Sequence, residues 1–166
     1  MLAGALAVVA GPCPVAGLRL TAPAGAVDFG RWQTSTSQCS WQRAPSSLRH
    51  SCRGLRLEQN LEGFLNVRFL ADGQGESIAL EQLVFAGALE SDQVAMRCGS
   101  DGRCTPQWPA RLAVATVAAA SFDQRGLAMG LPRTHLARGH CTLERQRVVC
   151  QARGQGGATW IAEAEL

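Results

Sequence analysis

Leu65-Asn66-Val67-Arg68-Phe69 alternates apolar and polar side chains, and the chain then breaks at Gly73-Gln74-Gly75. Successive side chains of an extended strand point to opposite faces. Three apolar residues on one parity, with polar neighbours between them, describe a strand packed on one side and wet on the other. The glycines tolerate the backbone angles of a tight turn, so a hairpin is expected there.

The period of two continues in both directions. Upstream, Leu55 and Leu57 alternate with Arg56 and Glu58. Downstream, Ile78 and Leu80 share one parity while Leu83 and Phe85 hold the other, so a bulge is expected near Glu81-Gln82 to return both sets to one face. Val94, Met96 and Cys98 continue the pattern, as do Trp160, Ala162, Ala164 and Leu166. Turn-forming residues recur at Gly73/Gly75, Ser91-Asp92, Asp101-Gly102, Asp123 to Gly126 and Gly154 to Gly157. Leu112 to Phe122 is ambiguous. Its alanines favour a helix, but strands surround it and its even positions carry Leu112, Val114, Thr116 and Phe122, so a strand is expected. The expected fold class is all-β, an antiparallel meander forming a sandwich or a barrel, braced by disulfides.

Seven cysteines punctuate this pattern. The first, Cys13, lies in a segment of different character. Residues Leu2 to Ala10 are apolar and small, Pro12 and Pro14 interrupt any helix, and Ala22, Ala24 and Ala26 offer small-x-small cleavage sites. Residues 1–26 are therefore expected to be a signal peptide cut after Ala26, and residues 27–166 a single β-domain. Removing the leader turns an odd cysteine count into an even one, as a disulfide framework in an oxidising compartment requires. The remaining cysteines fall into local pairs, each flanking a polar or turn-forming stretch. Partners across a hairpin can meet the roughly 5.5–6 Å Cα separation of a disulfide. The spacing predicts Cys39–Cys52, Cys98–Cys104 and Cys141–Cys150.

Zinc is the competing use of these ligands. Structural zinc sites space them as C-x2-4-C or H-x3-5-H. His135 and His140 have the second spacing, but five residues separate Cys98 from Cys104 and no pair is CxxC. Neither a metal nor another cofactor is expected.

Composition narrows the classes further. The 166-residue chain is 46% hydrophobic and 17% charged, which is not the make-up of a disordered polymer. All 16 basic residues are arginine, and there is no lysine and no tyrosine. Abundant alanine, glycine and arginine point to a GC-rich genome rather than to a function. The net charge of +3 rests on scattered single arginines. No basic run could track a phosphate backbone, so nucleic acid is not an expected partner. No uninterrupted apolar stretch reaches the roughly 18 residues of a membrane-spanning helix, so no integral span is expected after processing.

No catalytic motif emerges. The histidines are His50, His135 and His140, and a G-x-S-x-G elbow for a nucleophilic serine is missing. His50 reads as a polar residue of a loop or edge strand. Glu58 with Glu62, or Glu163 with Glu165, are carboxylate pairs a glycosidase could use, but alternation turns Glu163 and Glu165 outward. Gly154-Gln155-Gly156-Gly157 lacks the lysine and helix of a phosphate loop.

The tryptophans carry more information. Trp160 sits on the core parity. Trp32 and Trp41 lie in polar sequence beside Arg31 and glutamines, the combination from which sugar- and peptide-binding surfaces are built. Trp32, Trp41 and Arg31 are the candidate binding residues. Packing at a disulfide-bonded end of the fold is the competing explanation for both tryptophans. The expected protein is bacterial and exported, periplasmic or extracellular, with a β-domain that binds a ligand or protein of the cell envelope without catalysis. One alternative is a small secreted hydrolase whose site forms only in the fold. Another is an inhibitor of secreted enzymes that presents Gly99 to Arg103.

Overall fold

The computed structural model describes residues 29–90 and 93–166. The expected leader, its cleavage site, Cys13 and the Ser91-Asp92 turn lie outside the described residues. All regular structure among these residues is β. The strands are β1 (Gly30–Ser35), β2 (Gln38–Ala44), β3 (Arg49–Ser51), β4 (Gly54–Leu61), β5 (Phe64–Asp72) and β6 (Leu80–Leu89). They continue as β7 (Met96–Cys98), β8 (Cys104–Pro106), β9 (Ala110–Phe122), β10 (Arg133–Leu143), β11 (Arg147–Gly154) and β12 (Thr159–Glu165).

Ten of these strands form one antiparallel sheet, ordered β1-β4-β5-β6-β9-β10-β11-β12-β2-β3. Its two ends are not free of one another. β1 and β2 are halves of one bent strand joined through Thr36-Ser37, and β3 and β4 are halves of a second joined through Cys52-Arg53. Trp32 pairs with Leu57 in one half of this hairpin and Trp41 with His50 in the other. At the bend, Thr36 N–H donates to Arg53 O (3.2 Å) and Cys52 N–H to Cys39 O (3.0 Å). β12 pairs back onto β2, so the sheet curls into a half-barrel. The meander was legible in the alternation, and the curl is what distinguishes it from a sandwich.

Inside the curl lies one apolar core. Leu55, Leu57, Leu65, Val67, Phe69 and Phe85 have at most 1% of their surface exposed. The Phe69 and Phe85 rings meet edge to face at 5.9 Å. Each such side chain contributes about 1.5–3 kcal/mol by leaving water. The outer face carries ion pairs instead. Glu58 accepts from Arg68 (2.7 Å) and lies 3.4 Å from Arg56, while Arg147 meets Glu163 across strands at 2.6 Å.

Residues 112–122 form the body of β9. Ala110, Leu112, Val114 and Val117 are buried while Arg111 and Ala113 are exposed, so packing on a sheet overrides the helical preference of alanine. The bulge expected at Glu81-Gln82 is absent. β5 and β6 pair without a shift from Asp72↔Leu80 to Phe64↔Ala88, which leaves Leu80 on the parity opposite to Leu83 and Phe85. The irregularity falls further along. Ala86 pairs with Thr116 and Gly87 with Val114, leaving Ala115 extra in β9, and β10 shifts register between Leu136 and Gly139. Backbones crowd together there: a Cβ on Gly87 would meet Ala113 O at 2.0 Å, and one on Gly139 would meet Gln151 O at 2.0 Å.

Two disulfides brace the ten-stranded sheet, and a third braces the separate two-stranded β7–β8 sheet. Cys39–Cys52 spans the bend, Cys98–Cys104 joins opposed residues of β7 and β8, and Cys141–Cys150 joins opposed residues of β10 and β11 inside the core. These are the pairings the spacing predicts, and they fit an oxidising environment. Among the described residues no helix is long and apolar enough to cross a membrane.

Candidate functional site

The two ends of the curled sheet differ. At one end the connection between β6 and β9 carries the β7–β8 hairpin, with Ala95, Met96 and Cys98 buried as part of the core. Trp108 follows and meets Trp32 edge to face, ring centroids 5.8 Å apart. The hairpin tip is tied down by Arg31 N–H donating to Gly102 O (3.0 Å), so Gly99 to Arg103 docks on β1. This end is plugged by its own sequence.

The opposite end carries the connections at residues 45–48, 73–79, 123–132 and 155–158 and stays open. A cavity of about 450 Å³ lies there. Its apolar wall comes from Trp41, Leu83, Met129, Leu131 and Trp160, and its polar wall from Arg43, His50, Glu81, Gln82 and Arg133. The volume falls in the range of small-molecule sites, which favour barrel mouths and combine apolar walls with a few placed polar groups.

Strand register puts these side chains together. Cys39, Trp41 and Arg43 share one parity of β2, and Trp41 stands opposite His50, so the two rings stack at 5.8 Å with 12° between planes. β12 pairs Trp160 with Arg43, and the guanidinium lies over the indole at 5.4 Å from its centroid. The His135 ring lies 5.1 Å from the same indole. Among the described residues neither Arg43 nor Arg133 forms an ion pair; the arginines that do are Arg53, Arg56, Arg68, Arg103, Arg125 and Arg147.

The connection from β9 to β10 supplies the rim. Asp123 Oδ1 accepts from the N–H groups of Leu127 and Arg125, both at 2.9 Å, and Asp123 N–H donates to Leu127 O at 2.9 Å. Met129 N–H then donates to Ser121 O at 2.8 Å. This locked turn delivers Met129 and Leu131 to the cavity, with Leu131 94% exposed at its edge. The N–H of Leu127, aided by Arg125, holds the Asp123 carboxyl below its ordinary value of 3.8.

The three binding candidates drawn from the sequence do not form one site. Trp41 lines the mouth. Trp32 packs against Trp108 at the plugged end, and Arg31 lines a shallow surface depression with Glu58 and Asp101 there. Glu58 itself is engaged by Arg56 and Arg68. Arg43, His50, Glu81 and Arg133 were not singled out as binding residues from sequence. Arg43 could have been: it continues the inward parity of Cys39 and Trp41, and a charge on a core parity near a strand end is a site signal. Arg133 carries no such local cue, because its place follows from pairing with Ala119 across β9.

Fold and cavity together define a disulfide-braced, curled β-sheet protein with one plugged end and one open, aromatic and cationic mouth. No protein-family model, curated protein or solved structure matches the chain.

Proposed function

We propose that this chain is an exported protein of the periplasm or extracellular space that binds a small molecule in the open mouth of its curled sheet. The observation that carries this reading is the mouth cavity itself, where Trp41 and Trp160 provide apolar area beside Arg43, His50 and Arg133. Trp and Arg are the side chains that most often anchor recognition sites, because each buries a large, flat surface and still offers hydrogen-bond donors. Disulfides at the bend and in the core hold the strands that carry these residues, which suits a preformed site. The neutral probe N-phenyl-1-naphthylamine tests the reading by fluorescence titration. One probe should bind per chain with quenching of tryptophan emission. Trp41→Ala should weaken binding about tenfold, since an aromatic contact adds about 0.5–1.5 kcal/mol to the area it buries. Arg31→Ala, at the other end, should leave it unchanged. Absence of binding by this probe and by an anionic one alike, or equal binding by the Trp41→Ala protein, overturns the proposal.

A further inference from the structure

We infer that the mouth selects a small organic anion, a carboxylate or sulfonate on a compact apolar body. This rests on the mouth being a binding site and adds the chemical class of its ligand. Two fixed cations, Arg43 and Arg133, line the cavity, and Glu81 is the one carboxylate among its lining residues. Neither arginine is committed to an ion pair among the described residues. The Arg43 guanidinium carbon lies over the Trp160 ring, 5.4 Å from its centroid. Stacking uses the face of a guanidinium and leaves the N–H donors along its edge, which match the two oxygens of a carboxylate or sulfonate. Apolar walls around such charges focus the field and raise the local concentration of anions.

The shape requirement comes from the floor. Phe69 and Phe85 fill the interior with none of their surface exposed, so no channel runs down the curl for an extended chain. What the cavity offers instead is the exposed remainder of Trp41 and Trp160, 8% and 4% of their surfaces, with Leu83, Met129 and Leu131 beside them. The apolar part of the ligand is therefore compact, with its charge at one edge.

Two fluorescent probes of similar ring size separate this inference from the reading beneath it. 8-Anilino-1-naphthalenesulfonate is anionic and N-phenyl-1-naphthylamine is neutral. The anionic probe should bind about tenfold tighter than the neutral one. Arg43→Gln and Arg133→Gln should each weaken the anionic probe about fivefold more than the neutral one, the scale of one charge at short range in a partly wet site. Glu81→Gln should act in the opposite direction and tighten the anionic probe about threefold. A residue that merely supported the fold would not produce these opposite signs. High salt should weaken the anionic probe alone. If Arg43→Gln fails to fold, Arg133→Gln, Glu81→Gln and the salt series decide. Equal affinities for the two probes, unmoved by these charge changes, overturn the anion inference while the mouth reading stands. If neither probe binds, both fall.

Discussion

Gly139 shows how much a single residue can be required to do. It follows the register shift in β10, and an added Cβ would meet Gln151 O at 2.0 Å and Ala152 Cα at 2.5 Å. Those neighbours are backbone of an adjoining strand and cannot swing away. Gly139→Ala should therefore destabilise the protein by about 1–3 kcal/mol, read as a lowered midpoint in urea, whereas Gly63→Ala faces no neighbouring atom within 4 Å and acts through its positive φ alone. An unchanged midpoint for Gly139→Ala would show that the β10–β11 approach is looser than described. Asp123 is a second such residue, on the rim of the mouth. Its folded-state value is lowered, so its contribution is complete above the ordinary 3.8 and is lost as pH falls through that lowered value. An NMR titration of the Leu127 amide should give a midpoint below 3.8 and no transition in Asp123→Asn. The turn would then lose its hold on Met129 and Leu131 as pH falls through that lowered value. Neither role is legible locally, because a glycine in a strand and an aspartate in a turn have many uses.

Hairpins are the elements on which the disulfides act, and the three bridges are not equivalent. Cys98–Cys104 closes six residues of separation at the plugged end, against nine for Cys141–Cys150 and thirteen for Cys39–Cys52. Chain entropy alone ranks them in that order, at about 2.4, 2.7 and 3.0 kcal/mol. Packing changes the ranking. Cys141 and Cys150 have none of their surface exposed, so Cys141→Ala with Cys150→Ala also leaves a void in the core. That double variant should lose about 4–5 kcal/mol. Cys98→Ala with Cys104→Ala should lose about 2–3 kcal/mol and keep probe binding at the far mouth. Chemical denaturation of both variants, with a probe titration, checks the order. Equal losses would mean that the β10–β11 sulfur atoms fill no essential volume. The pairings themselves were legible, since each cysteine pair flanks its own turn and cross-strand partners in a meander are close in sequence. Their burial was not.

Across the whole molecule the three bridges together amount to about 8 kcal/mol in the same account, comparable with the roughly 5–15 kcal/mol that holds a domain folded. Reduction should therefore leave a marginal fold, and folded protein should be recovered from an oxidising expression compartment in much higher yield than from a reducing one. Equal yields, with free thiols, would remove the argument for an oxidising home. The sequence by itself determined that the chain is all-β, that its strands run as a meander, and which cysteines pair. Leu65, Val67 and Phe69 fix an inward parity wherever they are placed, and hairpin partners lie near each other along the chain. The tertiary structure decided the rest. It moved the bulge from Glu81-Gln82 to the β6–β9–β10 crossing, because ladder register depends on neighbouring strands and not on one strand's pattern. It separated Trp32 from Trp41, although nine residues apart, by sending the two halves of one bent strand to opposite ends of the curl. It gathered Arg43, His50, Glu81 and Arg133 around one cavity from four strands. Local periodicity reports which face a side chain takes, but only closure of the sheet settles which distant side chains that face will meet.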